Sequence, residues 1–425
     1  MKNLLKKYVL FLLKKFAKRR LKKFKGTIIG VTGSVGKTST KEAVYAILNT
    51  KYKVLRNKGS MNTDFGLPLT VLELDTGWKS IVKWSYLIFR AFLKSFQKLY
   101  AEVVVVEMGV DKAGDMDALL SIVTPDIGIV GPVAPVHMEK HQFANVDEVF
   151  EEKSKLIKAL PEDGIAILCA DDERVLGLRT GRPKGRTFTF GMNPDADFKA
   201  TAIEENTSGI KFNLNTEGHR VEVHVPVLGK HHVNVILPAI ICGMAMKMEL
   251  GEIVEAIKRF KLPPGRLNLI EGFKDDLTII DSSYNSSPKA CIEALKTLGG
   301  LNPKGKGRRI AVLGNMNELG ENSELLHAEV GSQIHQYCEV LVTVGDAAKI
   351  FADKAEENGM KNVFRFKTVS EAIEKFKDEL KEGDIVLVKG SQNNVRLEKF
   401  VKAIMKFPDT AEEVLCRQGK AWERI

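Results

Sequence analysis

Residues 30–42 read GVTGSVGKTSTKE, and this stretch decides how the first half of the chain must be built. The apolar residues from Thr27 to Val31 suit a buried strand, and the pattern from Lys37 to Leu48 suits a helix, so the glycine-rich segment is the turn between them. Such a turn is a phosphate cradle, because its backbone N–H groups converge on an anion at the positive end of the following helix. Thr32, Gly33, Ser34, Gly36, Lys37, Thr38 and Ser39 are therefore expected to hold a nucleotide. Lys37 would reach the terminal phosphates and Thr38 would offer its hydroxyl to Mg2+. The loop departs from the regular Walker pattern, since Val31 stands where the first glycine is expected. A chance GKT is the competing reading, and the strand-loop-helix setting weighs against it.

Working outward, further strands at 103–106, 127–130 and 165–168 alternate with helical stretches, which predicts an α/β unit with a parallel sheet. From about 187 to 228 the texture changes to short alternating segments (TFTF, KFNLN, VEVHV) and predicts a small β-rich subregion. Residues 263–266, PPGR, stop any helix and mark a linker. Beyond it, strands at 277–280, 310–313, 340–344 and 385–388 again alternate with helices, so a second, Rossmann-like α/β domain is expected. Its polar motifs, beginning at Asp281, Gly314 and Lys389, fall directly after strands, at the carboxyl edge where such sheets bind ligands.

With 425 residues, 44% of them hydrophobic, the chain can bury more than one core. Five cysteines, widely spaced and odd in number, indicate neither a disulfide framework nor a zinc cluster, and a reducing, cytoplasmic setting fits. The net charge of +10 is a local device: residues 1–25 hold eleven Lys or Arg and no acid, leaving −1 for the rest. The apolar run from Tyr8 to Leu13 is too short to span a bilayer, which takes about 20 residues, and no signal-peptide cleavage pattern follows it. Leu5, Tyr8, Val9, Leu12 and Phe16 recur at helical spacing between lysines, which predicts an amphipathic helix lying on an anionic membrane surface. A solvated basic arm is the alternative. Nucleic acid ranks last, because the large apolar residues would have no phosphate to meet. Residues 78–100 repeat the theme with five Lys or Arg, no acid and seven aromatics; an interfacial helix or lid and a buried packing helix are both open readings.

Several residues carry chemistry by their placement. Glu107 leaves a strand of four valines, where a carboxylate is well placed to hold a hard cation; a helix cap or ion-pair partner is the plainer alternative. His137 and His141 stand at i,i+4, but Met138 replaces the glutamate of HExxH chemistry. Asn145 and Glu148 suit a helix start, and Val146, Val149, Phe150, Ile157 and Leu160 mark one apolar face that includes Lys153. An inward lysine loses its proton readily, and the neutral amine reacts with CO2 to give a carbamate; a lysine snorkelling from the stripe's edge is the alternative. In the second half, Asp281 ends a strand, and Ser287 with Pro288 opens the next helix.

The TGSVGKT loop, together with VEMGVDKAGD (106–115), HME (137–139), LPEDGIAIL (160–168), PGR (264–266), DSSYNSSP (281–288), LGNMNELGENSELLH (313–327) and VKGS (388–391), resembles the Mur ligases in content and order. These enzymes build the peptide stem of peptidoglycan by ATP-driven amide formation. The second-half motifs look most like the MurF branch, which joins D-alanyl-D-alanine to a UDP-N-acetylmuramoyl-tripeptide. The resemblance implies a central ATPase domain at 26–265, carrying 78–100 as an insertion, and a C-terminal Rossmann-like domain at 266–425. It implies ATP and two Mg2+ sites, with Thr38, Glu107, His137 and a carbamylated Lys153 as metal ligands and Lys37 stabilising the transferring phosphate. Arg266, Asp281, Tyr284 and Asn285 would approach the nucleotide, with Arg266 in the linker about which the domains close. Glu318, Lys389 and Ser391 would face the incoming amine. The expected partners are a small-molecule or lipid-linked muropeptide acceptor, a D-Ala-D-Ala-like amine and, through residues 1–25, the inner face of the cell membrane. Two departures stand out. The family's G-x-H-N-x-x-N pattern reads Gly229-Lys230-His231-His232-Val233-Asn234-Val235, and the family's N-terminal UDP-binding domain is expected to be missing. A γ-glutamyl-type ligase and a non-catalytic, membrane-attached nucleotide-binding scaffold are the rival functions.

Overall fold

The structure is a computed structural model that describes residues 2–57, 61–75, 81–134, 142–181, 186–391, 395–419 and 422. Chain contacts divide it into two units, one built from residues 1–202, 212–223 and 233–260, the other from 203–211, 224–232 and 261–425. The second unit thus takes the ends of three strands that precede the PPGR linker.

In the first unit the sheet runs in the order β2-β3-β1-β4-β5-β6-β7-β8-β9. Its strands are β1 Thr27–Thr32, β2 Val54–Arg56, β3 Val103–Glu107, β4 Ile127–Val130, β5 Ile165–Cys169, β6 Arg186–Gly191, β7 Phe198–Asn206, β8 Gly209–Thr216 and β9 His219–Val225. The β2 to β7 portion is parallel throughout. β3 and β4 flank β1 and are buried along their whole length, which is why they read as unbroken apolar runs rather than alternating ones. β7 to β9 alternate, as the sequence texture predicts.

Among the described residues the first unit holds nine α-helices in chain order: α1 Lys2–Leu21, α2 Lys37–Leu48, α3 Gly66–Val71, α4 Ile81–Phe96, α5 Asp115–Leu120, α6 Val146–Lys158, α7 Glu173–Gly177, α8 Val233–Ala245 and α9 Leu250–Ile257. α8 is buried along most of its length and packs on α2. Asn145 caps α6 by accepting from Glu148 N at 2.9 Å, and Glu148 returns a bond to Ala144 N at 2.9 Å. That is one residue outside the usual reciprocal box.

α1 corrects the sequence expectation about which of its faces is free. Val9, Leu13, Ala17 and Arg20 form its buried stripe, packed against α3 and α4, while Leu5, Tyr8 and Phe11 stay exposed. Ala17 is small enough to let neighbouring backbones approach, so burial follows the Val9–Leu13–Ala17 line rather than the larger Leu12 and Phe16. Arg20 closes the contact by donating to Val71 O at 2.8 Å and pairing with Glu73.

The second unit holds a six-stranded sheet in the order β10-β11-β15-β12-β13-β14. These strands are β10 Asn268–Glu271, β11 Thr278–Ser282, β12 Arg309–Gly314, β13 Val340–Val344, β14 Val363–Phe366 and β15 Ile385–Lys389. Only β10 runs antiparallel to its neighbour. Two apolar cores, centred on residues such as Ile280, Leu313 and Phe351 on one face and Val312, Val388 and Phe400 on the other, sandwich the sheet. The crossing from β12 to β15 and β11 brings the ends of these three strands together, where a doubly wound sheet opens its ligand crevice.

Candidate active site

The loop after β1 is held open by two glycines with positive φ, Gly33 at 146° and Gly36 at 79°, the latter capping α2. A Cβ on Gly33 would lie 3.2 Å from the Gly131 backbone, a contact too tight unless that backbone gives way by a few tenths of an ångström. Ser34 ties the loop to the segment after β4: its N–H donates to Pro132 O at 2.8 Å, and its hydroxyl both donates to Ala134 O and accepts from Ala134 N. Asp172, the cap of α7, braces the same segment by accepting from Val133 N at 2.8 Å. The cradle's free N–H groups are thus fixed before a ligand arrives, which spares ordering cost on binding.

Glu107 lies at the end of β3, 2% exposed. Its Oε2 accepts from Thr38 Oγ1 at 2.8 Å and its Oε1 from Asn62 Nδ2 at 2.9 Å, while its own N–H donates to Asn57 Oδ1 at 3.0 Å. Lys41, fully buried in α2, donates to Asn57 O at 2.6 Å. Asn57 and Asn62 therefore aim the carboxylate, and the sequence reading missed both. The polar run NKGSMNTDFG at 57–66 between two apolar elements was the available signal.

Lys153 lies on the buried face of α6 with Val149, Leu156 and Ile157. It is fully buried, and among the described residues its Nζ has no hydrogen-bond partner. Burial, reinforced by the positive charge of Lys37, holds its pKa well below the usual lysine value, against the opposing pull of Asp111, Glu152 and Glu107. The structure thus gathers Lys37, Thr38, Glu107 and Lys153 around one cradle. Hard oxygen donors from Thr38 and Glu107 suit Mg2+, and a buried amine without an acceptor suits conversion to a carbamate, which would add two further oxygens. His137 and its neighbours 135–141 lie outside the described residues, and no group of three His, Cys, Asp or Glu is gathered for a metal among the rest.

At the GKHHVNV segment, His232 is 5% exposed and its Nδ1 bonds Leu228 O. Its ring lies 4.3 Å from that of His231. Burial lowers the pKa of both, that of His231 to about 4, so both rings are neutral. Asn234 donates to Asp171 Oδ2 at 2.9 Å, and Val235 lies where it would touch a Cβ on Gly36 at 3.4 Å.

In the second unit, Arg266 stacks 4.3 Å over the Tyr284 ring, and Tyr284 N–H donates to Gly265 O at 3.2 Å. Asp281 is fully buried; Ser283 N–H occupies its Oδ1 at 3.0 Å, its Oδ2 has no hydrogen-bond partner among the described residues, and burial raises its pKa to about 6. Lys389, at the end of β15, donates to Ser282 Oγ at 3.2 Å and Asn285 O at 3.0 Å, and burial lowers its pKa to about 8. Ser391 bridges two turns, donating to Ser286 O and accepting from Asn317 N–H. Glu318 is exposed with φ at 62°. Arg417 was not foreseen: it donates to Ser283 O at 2.6 Å and Tyr284 O at 2.9 Å and pairs with buried Glu398 at 2.8 Å. His327, also unforeseen, locks the 315–319 turn by accepting from Met316 N–H at 3.0 Å.

A glycine-rich loop between a parallel strand and a helix, with a buried carboxylate bonded to the loop hydroxyl, defines the class of P-loop nucleotide-binding proteins. Within that class, residues 31–83 and 84–243 match the Mur ligase middle domain, and residues 265–392 match the Mur ligase glutamate ligase domain. The chain belongs to the Mur ligase family. It is 28% identical over 401 residues to the UDP-N-acetylmuramoyl-tripeptide–D-alanyl-D-alanine ligase of Bacillus subtilis (strain 168), covering 93% of this chain and 79% of that one. The ligase of the same name from Escherichia coli (strain K12) is 28% identical over 77% of this chain and 68% of its own. Among solved structures, MurF ligase from Thermotoga maritima in complex with ADP superposes with a TM-score of 0.76 at 26% identity, covering 95% of this chain and 84% of that one. A Mycobacterium tuberculosis folylpolyglutamate synthase shares the fold, with a TM-score of 0.64 at 15% identity.

Proposed function

We propose that this chain is an ATP-dependent amide-bond ligase of peptidoglycan precursor synthesis, which joins D-alanyl-D-alanine or a closely related amine to a muropeptide-type carboxylate. The observation that carries the reading is Lys153: a fully buried amine without an acceptor among the described residues, close enough to Lys37 and Glu107 to feel both charges. A protein that only displayed a nucleotide would have no use for it. The relatives' names supply the substrate class, and the match extends through both halves of the chain.

In the proposed reaction a carboxylate oxygen of the acceptor attacks the γ-phosphorus of ATP, and the bond to the β-phosphate oxygen breaks. The products are ADP and an acyl phosphate. The amine then attacks the acyl carbon, the nitrogen loses its proton, and inorganic phosphate leaves. Lys37 and the loop N–H groups stabilise charge spreading over the transferring oxygens. Thr38, Glu107, His137 and a carbamylated Lys153 would hold the two Mg2+ ions, which supply further neutralisation of that charge. Arg266, Asp281, Tyr284 and Asn285 are assigned to the nucleotide, and Glu318, Lys389 and Ser391 to the amine.

We assign residues 26–265 and 266–425 as the ATP-binding and C-terminal domains of this enzyme. Phosphate release measured with ATP and Mg2+ tests the assignment. It requires both a muropeptide acceptor and D-Ala-D-Ala if the chain is this ligase. Release that needs glutamate instead would move it to the γ-glutamyl type, and no stimulated release would leave a scaffold.

A further inference from the structure

We propose that the outward face of α4, together with the neighbouring edge of α1, is a docking surface for an anionic lipid membrane. α4 is apolar on two sides. Ala91, Ser95 and, just beyond its end, Leu99 are buried, with Trp84, Leu87 and Ile88 half-buried on the same side, whereas Tyr86, Phe89, Phe92, Leu93 and Phe96 on the other are 43–60% exposed. At 100° per residue these five fall within one arc, so they form a single stripe rather than scattered positions. Tyr100, 84% exposed, prolongs it. An apolar stripe of this size left in water marks a surface meant to be covered.

The stripe is packed as a unit. Phe92 meets Phe16 of α1 edge-on at 5.7 Å and Phe96 at 5.0 Å, and the Arg19 guanidinium stacks 3.7 Å over the Phe96 ring. Lys23 donates to Phe96 O at 3.0 Å, which ties the end of α1 to the end of α4. On α1, Tyr8 and Phe11 are each 60% exposed, and Lys15, Lys18 and Lys22 share their side of the helix.

Charge chooses the occupant. Residues 1–25 and 78–100 together hold sixteen Lys or Arg and no Asp or Glu. Glu73 and Asp64 engage only Arg20, Lys94 and Lys14 of these among the described residues, and aromatic rings flanked by the remaining excess of cations match the headgroup boundary of a bilayer carrying negative lipids. No helix among the described residues is long and apolar enough to cross a membrane, so the contact is one of lying on the surface. The same two helices buttress the catalytic half. α1 holds α3 through Arg20 and Val71, and the segment leading into α3 carries Asn62 to Glu107. A membrane-bound chain would thus carry its cradle in the same compact unit as the docking face.

The test uses the full chain and sedimentation with vesicles of phosphatidylcholine alone or with 30% phosphatidylglycerol. The expected result is binding to the phosphatidylglycerol vesicles that falls at least tenfold in 0.5 M salt, and little binding to phosphatidylcholine. The exposed-face double variant Phe89→Ser/Leu93→Ser should lose at least tenfold in vesicle binding while keeping its melting temperature and its turnover of soluble substrates. Absence of wild-type binding to phosphatidylglycerol vesicles overturns the proposal, as does equal binding by the double variant. A wild-type dimer that the double variant abolishes, without vesicle binding, would assign the stripe to a second copy and also overturn it. The vesicle-binding and oligomeric-state readouts do not depend on which amide bond the enzyme makes.

Discussion

At Lys153, burial without an acceptor shifts the amine toward its neutral form, the form that combines with CO2. Protein equilibrated with 13C-bicarbonate should therefore show one carbamate carbon resonance that is missing from Lys153→Met. That variant should fold as well as wild type, since removing a buried ionisable group leaves a well-packed apolar side chain. Its turnover should fall by about 100-fold or more, the scale of losing one charge-stabilising group, and a small carboxylate such as formate should restore part of it. An unchanged turnover would refute the assigned role. Lys389 gives a pH signature. Its folded pKa is about 8 against 10.5 for an ordinary lysine, so between those values the unfolded chain holds a proton that the folded chain has released. Stability from this group therefore rises with pH from about 8 to 10.5. Denaturant titrations at pH 8 and 10 should show that increment in wild type and a smaller one in Lys389→Met.

At the scale of elements, the glycine loop and the turn after β11 depend on different supports. Gly33 and Gly36 both have positive φ, but only Gly33 faces backbone, that of Gly131, at 3.2 Å. Gly36→Ala should cost about 1 kcal/mol of stability, the penalty of a left-handed residue. Gly33→Ala should cost more and should weaken ATP binding, as read by the ATP-induced shift in melting temperature. Equal effects would contradict the steric account. In the second unit, Arg417→Ala leaves the buried Glu398 carboxylate with Arg396 as its remaining ion partner and releases the Ser283 and Tyr284 carbonyls. Leaving a buried charge wholly unpaired costs about 3–5 kcal/mol; because Arg396 still holds Glu398, the loss should stay below that range while still lowering the thermal unfolding midpoint. Which of these features could be read from the sequence follows from their physics. Val103–Val106 and the glycine loop declare themselves because buried parallel strands and phosphate cradles have short-range signatures. The inward face of α6 is legible for the same reason, through its helical period. Asn62 and Arg417 are not, because their bonds to Glu107 and Ser283 cross 45 and 134 residues and leave no periodic trace. For α4, periodicity marks an aromatic face but not its outward orientation, which depends on what packs against the opposite side.

For the whole molecule, two mainly parallel sheets carry the chemistry-bearing residues, with the phosphate cradle in one unit and the Asp281, Tyr284 and Lys389 cluster in the other. The family membership and the shared fold account for this division, and the helices α1 and α4 add the surface that the docking proposal concerns. The central claim is that the chain couples ATP cleavage to one amide bond on a peptidoglycan precursor. It is tested most directly by incubating the chain with ATP, Mg2+, D-Ala-D-Ala and either a UDP-linked or a lipid-linked muropeptide, and weighing the products by mass spectrometry. The account predicts a product equal in mass to acceptor plus dipeptide less one water, with one ADP formed per bond. ADP formation without any coupled product, or coupling to neither acceptor, would contradict it.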